Sequence, residues 1–157
     1  MALTPAQLST AEPRLARLRA LLRGLPDVDV DPAGHGHLAF RVGGKAFAYR
    51  AWDHHGDGRI ALWVKSTRAE QARLVRDDPV HGFVPAYVGA QGWVGVRLDL
   101  DDVPWDLVAG LLRAGWLAQA GKTRAARLAD VNAAPRPPEP RPPASPARRS
   151  RTPRRRR

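Results

Sequence analysis

Two adjacent glycines, Gly43 and Gly44, stand between two stretches in which apolar and polar residues alternate, 37–42 and 45–52. A period of two marks a strand with one buried face. A Gly-Gly pair between two such runs predicts a two-residue hairpin, because the turns that match strand twist need positive φ at both central positions. This feature constrains the chain most: the sheet is antiparallel here, and the turn sets its register. Residues 60–65 and 93–98 read as two further strands of the same kind.

Alternation divides each segment into two faces. One collects Leu38, Phe40, Val42, Phe47, Tyr49, Ile60, Leu62, Val64, Val94, Val96 and Leu98, which is a core. The other collects Arg41, Arg50, Trp52, Trp63, Lys65, Trp93 and Arg97, spaced by Ala39, Ala48, Ala61 and Gly95. This second face carries four cations, three indoles and no carboxylate. A flat, basic and aromatic surface suits a polyanion with stacking faces, which is nucleic acid. The competing reading is an ordinary exposed sheet face, or one covered by a second layer; a one-residue slip in phasing would exchange the faces.

Helices flank these strands. Ser9-Thr10-Ala11-Glu12 fits a capping box, followed by a stripe of Leu15, Leu18, Leu22 and Leu25 that ends at Gly24 and Pro26. Thr4-Pro5-Ala6-Gln7 is a competing start that reads as a separate turn. Residues 27–36 read as an irregular approach to the sheet, and 53–58 as a longer hairpin loop. Thr67-Arg68-Ala69-Glu70 opens a short helix to about Asp77, and 79–92 reads mostly as loop. Asp102 before Pro104 opens the last long helix, which Gly121 ends, with a further helical turn over 122–128. The order is helix, three-strand meander, helix, strand, helix. It predicts an α+β fold: an antiparallel sheet with helices on one face, in two layers.

Composition changes near Asp130. Residues 131–157 hold nine of the 26 Lys and Arg, one of the 15 Asp and Glu, and eight of the 15 prolines, a net charge of +8. Residues 1–130 carry 17 basic and 14 acidic residues, a net of +3. The expected organisation is a domain over 1–130 and a disordered Pro/Arg-rich basic tail over 131–157, which lacks the apolar surface to offset ordering. With no cysteine, disulfides and thiolate metal sites are excluded. No apolar run reaches the ~20 residues of a membrane span, and Met1 to Leu8 does not read as a signal peptide. A cytoplasmic protein is expected, and the heavy use of Ala, Arg, Gly and Pro points to a GC-rich bacterial genome.

Catalytic chemistry is not called for. His35-Gly36-His37 and His54-His55 are the histidine clusters, but no third ligand stands at a usual metal spacing. No serine sits in a nucleophile elbow, and no glycine pair fits a phosphate-binding fingerprint. Asp99, Asp101 and Asp102 are better explained as acids at a helix N-terminus than as a catalytic cluster.

The run Gly36-His37-Leu38-Ala39-Phe40-Arg41-Val42-Gly43-Gly44-Lys45-Ala46-Phe47-Ala48 resembles the signature hairpin of the MmcQ/YjbR family. Leu62-Trp63-Val64-Lys65, Pro85-Ala86-Tyr87, Gly92-Trp93-Val94 and Val96-Arg97-Leu98-Asp99 follow in the family's order, and Gly24-Leu25-Pro26 precedes them. The resemblance covers roughly residues 9–128. It implies a frataxin-like sandwich and DNA binding through a double-wing surface. Frataxins handle iron through acidic residues near the first helix; here that helix sets Glu12 against Arg14, Arg17, Arg19 and Arg23, which disfavours iron.

The expectation is therefore a non-enzymatic, cytoplasmic, nucleoid-associated DNA-binding protein without cofactor, metal or membrane partner. Arg41, Arg50, Lys65 and Arg97 would meet phosphates, and Trp52, Trp63 and Trp93 would give flat contacts. Arg154, Arg155, Arg156 and Arg157 of the tail would add sequence-independent phosphate contacts. A protein-interaction module using the same aromatic face is the first alternative, and a metal or small-ligand site near His35 and His37 is the second.

Overall fold

The structure, a computed structural model, describes residues 4–133. Six antiparallel strands form one sheet in the order β1-β2-β3-β4-β6-β5. They are β1 (Val28–Pro32), β2 (Leu38–Val42), β3 (Lys45–Trp52), β4 (Ile60–Val64), β5 (Gly82–Phe83) and β6 (Val94–Arg97). The helices are α1 (Pro5–Leu22), α2 (Arg68–Asp77) and α3 (Trp105–Ala133). The fold is α+β, as expected. Two strands are additional: β1 lies in the stretch read as irregular, and β5 in the stretch read as loop.

The hairpin forms as the sequence predicts: Val42 pairs with Lys45, and Gly43 and Gly44 have φ of +57° and +77°. The helix starts differ. Thr4, not Ser9, caps α1: its hydroxyl accepts from the Gln7 N–H while the Gln7 side chain accepts from the Thr4 N–H. Pro13 therefore lies inside the helix. Thr67 caps α2 as expected. Asp102 does not cap α3 but bonds the imidazole of His81. Gly121 (φ +75°) breaks α3 where the helix was expected to end, and helix resumes as far as Ala133. The chain beyond Ala133, including most of the expected tail and Arg154, Arg155, Arg156 and Arg157, lies outside the described residues.

α1 and α3 pack on one face of the sheet. Leu18, Leu22, Phe40, Phe47, Leu62, Val64, Val96, Val108, Leu112 and Trp116 form the centre of that core. At about 25 cal/mol per Å², each fully buried aliphatic side chain there contributes roughly 1.5–3 kcal/mol. Gly115 allows the closest approach: a β-carbon on it would lie 2.6 Å from Val64 Cγ1 and 3.2 Å from the Phe47 carbonyl oxygen. The buried Trp116 indole donates to the Pro26 carbonyl at 3.0 Å, fixing α3 to the turn after α1. No helix among the described residues is long and apolar enough to cross a membrane.

Candidate functional site

The face away from α1 and α3 differs from its expected form, and one cause is a single residue. Phe40 opposes Ala48 but Arg41 opposes Ala46, so Phe47 is an extra residue, a β-bulge, in β3. Phe47 and Ala48 both face the main core, and the alternation after them is inverted. Residues directly opposite on antiparallel strands share a face. Tyr49 opposes Trp63 and Ala51 opposes Ala61, on the side away from the helices. Arg50 opposes Leu62 and Trp52 opposes Ile60, on the helix side. The placement expected for Tyr49, Arg50 and Trp52 is thus reversed. Trp52 packs against the main core, and the Arg50 guanidinium lies 5.0 Å over its ring. Burial lowers the Arg50 pKa, as does Arg19, while Glu12 opposes the shift; the Arg50 Nε is buried without a partner among the described residues.

Arg41, Trp63, Trp93 and Arg97 do lie on the expected face, but not as a free surface. β1 sets Asp29 and Asp31 beside Arg41 and Ala39, so the face carries carboxylates, and Asp31 lies 3.4 Å from Arg41. Arg97 is held by Asp99 at 2.6 Å. Burial alone would raise the Asp99 pKa, but the hydrogen bonds from Arg97 and Gln7 prevail and lower it. Lys65 follows β4, half-buried. Trp63 and Trp93 are only 8% and 5% exposed. They form a second small core with Ala51 and Ala61, against which Tyr49, Phe83 and Val88 pack.

The segment after β5 supplies the cover. The Phe83 ring lies directly on Gly95, where any β-carbon would meet ring atoms at 2.5 Å. α2 straps the segment down: Gln71 Nε2 donates to the carbonyls of Gly89 and Trp93, and Arg68 to that of Ala90. Tyr87 then reaches the 53–58 loop, where its hydroxyl pairs with His55 Nε2 at 2.9 Å and its ring meets His54 edge-on at 5.7 Å.

Between cover and sheet lies a cleft of about 190 Å³, walled by His37, Tyr49, Ala51, His54, Trp63 and Val88. It adjoins an outer depression of about 490 Å³ bordered by His35, Asp53 and His55, with Ala33, His37 and His54 common to both. The Trp52 N–H donates to His37 Nδ1 at 2.9 Å, and His37 Nε2 meets His54 Nδ1 at 3.4 Å. Burial is the main cause that lowers the pKa of both imidazoles; His54 and Arg50 add to it at His37, and His55 adds to it at His54. Trp63 Nε1 and His54 Nε2 are buried with no partner among the described residues. His35, Asp53, His55 and Tyr87, around the rim, all have positive φ, at +49°, +44°, +52° and +61°. Non-glycine residues held in this region carry strain of the kind that gathers at ligand sites. Among the described residues no group of three or more His, Asp or Glu is placed to hold a metal.

The sequence model of the YjbR family matches residues 23–118. This chain belongs to the YjbR family. The match spans all six strands, while the whole of α1 and everything after Ala118 lie outside it. A crystal structure of Deinococcus radiodurans protein DR2400, with a domain designated DUF419, is similar in fold: 24% sequence identity, a TM-score of 0.59, covering 73% of this chain and 87% of that one. No curated protein matches this chain significantly. The histidines of the cleft were visible as clusters in the sequence. The parts played by Tyr49, Tyr87 and Val88 were not, because they depend on the bulge and on 84–92 folding back over the sheet.

Proposed function

We propose that this YjbR-family chain is a non-enzymatic nucleic-acid-binding protein of the cytoplasm, acting chiefly on DNA. Its contacts are electrostatic, made by the Arg-rich terminal segment together with the outer side of α1. One observation carries the reading. Asp27, in the turn after α1, bonds both Arg124 at 3.5 Å and Arg127 at 2.9 Å, which ties the end of α3 beside the end of α1. There Arg19 and Arg23 border an open groove. Arg17, Arg19 and Arg23 are exposed, and none has a carboxylate partner among the described residues. The part of α3 that precedes the +8 segment is thus tied beside cations that have no carboxylate partner among the described residues. The sheet face contributes less: Arg41 and Arg97 are paired, and Arg50 lies on the helix side.

Binding of this kind depends steeply on salt, by about 0.9 in the slope of log affinity against log salt for each phosphate neutralised. Removing residues 134–157 should weaken binding to unrelated duplexes by similar factors and flatten the slope; Arg19→Glu with Arg23→Glu should flatten it further. A slope unchanged by both alterations would refute the reading. A second reading, a protein-interaction module, is favoured by the exposed Val80, Val84 and Tyr87 along 80–88 rather than by the indoles. It predicts that affinity for a protein partner follows these three side chains and not salt.

A further inference from the structure

We infer that the cleft beneath the 84–92 segment binds a neutral single-ring heterocycle bearing a carbonyl acceptor, the chemistry of a pyrimidine base. The argument begins with protons. His37 Nδ1 accepts the Trp52 N–H, so the neutral ring carries its proton on Nε2. That proton faces His54 Nδ1, which makes Nδ1 the acceptor and leaves the His54 proton on Nε2. His54 Nε2 is buried with no partner among the described residues, and so is Trp63 Nε1, which as an indole nitrogen can only donate. The two rings stand edge to face with centroids 4.8 Å apart. Two residues that line the cleft, His54 and Trp63, therefore each carry a buried N–H donor with no partner among the described residues, and buried donors without acceptors are costly. A ligand with a carbonyl oxygen relieves that cost.

Size and charge narrow the class. A cavity of about 150 Å³ accommodates one benzene ring, and this one measures about 190 Å³. No Asp, Glu, Lys or Arg lines its walls, and both imidazoles are kept neutral by burial, so a neutral ring fits better than an ion. Flat contacts come from Tyr49, His54 and Trp63. The strained rim residues hold the entrance in a shape that local backbone preference does not supply. The base could come free, as a nucleoside, or from an unstacked position in a single strand.

The test uses the full chain labelled at its indole nitrogens, with the Trp63 Nε1–H resonance assigned through Trp63→Phe. Uridine and a short oligothymidylate are titrated separately. A saturable shift of that resonance with either is expected; a shift with uridine assigns the free base, and one with the oligonucleotide alone assigns a base presented by a strand. Trp63→Phe should weaken binding on the order of fivefold, the worth of one hydrogen bond. Ala51→Leu, which fills the cleft, should abolish it without lowering the melting temperature. No shift with either probe, equal affinity for toluene, or full binding by Ala51→Leu would overturn the inference. Uridine carries no phosphate, so its result is independent of the electrostatic reading above.

Discussion

Two glycines in α3 provide a controlled test of how closely that helix lies on the sheet. Gly110 and Gly115 are both inside α3 and neither has a positive φ. Alanine gains about 0.5–1 kcal/mol over glycine in a helix interior at either position. Their surroundings differ. A β-carbon at Gly110 meets nothing within 4 Å. At Gly115 it would lie 2.6 Å from Val64 Cγ1, 3.1 Å from the Lys65 carbonyl oxygen and 3.2 Å from that of Phe47. Val64 is fully buried and cannot swing away, and the Phe47 carbonyl already accepts from the Lys65 N–H. The helix must lift instead, and overpacking of this kind costs about 1–3 kcal/mol. Gly110→Ala should therefore stabilise by about 0.5–1 kcal/mol, and Gly115→Ala should fall below it by the whole overpacking cost of about 1–3 kcal/mol. At about 4 °C per kcal/mol for a domain of this size, the two melting temperatures should differ by about 4–12 °C. Thermal melts followed by circular dichroism read the difference. If Gly115→Ala melts level with or above Gly110→Ala, α3 does not sit on β3 and β4 at this distance.

Other outcomes follow from single residues. Gly44→Val should cost about 1–3 kcal/mol, since a β-branched residue resists the positive φ of the turn; open space around Gly44 removes any steric explanation, and a wild-type denaturant midpoint would exclude the turn. Arg50→Met should leave DNA affinity unchanged and the melting temperature equal or higher, because it removes a buried Nε that has no partner among the described residues; a stable variant with weakened DNA binding would return Arg50 to the binding surface. Burial alone would lower the pKa of His81, but hydrogen bonds to Asp78 and Asp102 outweigh burial and raise it above 6.5. A raised folded value gives stability that is present below the unfolded pKa and lost as pH rises through the folded one. The melting deficit of His81→Gln should accordingly be larger at about pH 5.5 than at about pH 9, and equal deficits would show that the imidazolium contributes nothing.

The hairpin at Gly43-Gly44, the four longer alternating runs and the break at Gly121 were legible because each rests on local stereochemistry. The start of α1 was not. Thr4 with Gln7 and Ser9 with Glu12 satisfy the same capping pattern, and the choice falls to distant partners: Gln7 Nε2 also donates to the Gly58 carbonyl and to Asp99. β1 does alternate, with Val28 and Val30 opposite Val42 and Phe40, but two Asp residues and Pro32 run against strand propensity. The bulge at Phe47 left no trace in the pattern, because Phe47 and Ala48 are both apolar and either phase reads as a strand. That single ambiguity moved Arg50 and Trp52 to the wrong face and hid Tyr49 from the cleft.

The two outermost strands have a consequence for molecules crowded together. A sheet edge exposes unpaired backbone groups on which another chain can build. Here one edge is β1, with two carboxylates and a proline in five residues, and the other is β5, only two residues long. Charge, proline and brevity are each known deterrents to edge-to-edge growth. Copies gathered along one polyanion, as proposed above, would meet at high local concentration, yet the sheet offers them no edge suited to polymerisation. On that proposal, copies would line a polyanion densely without seeding fibres.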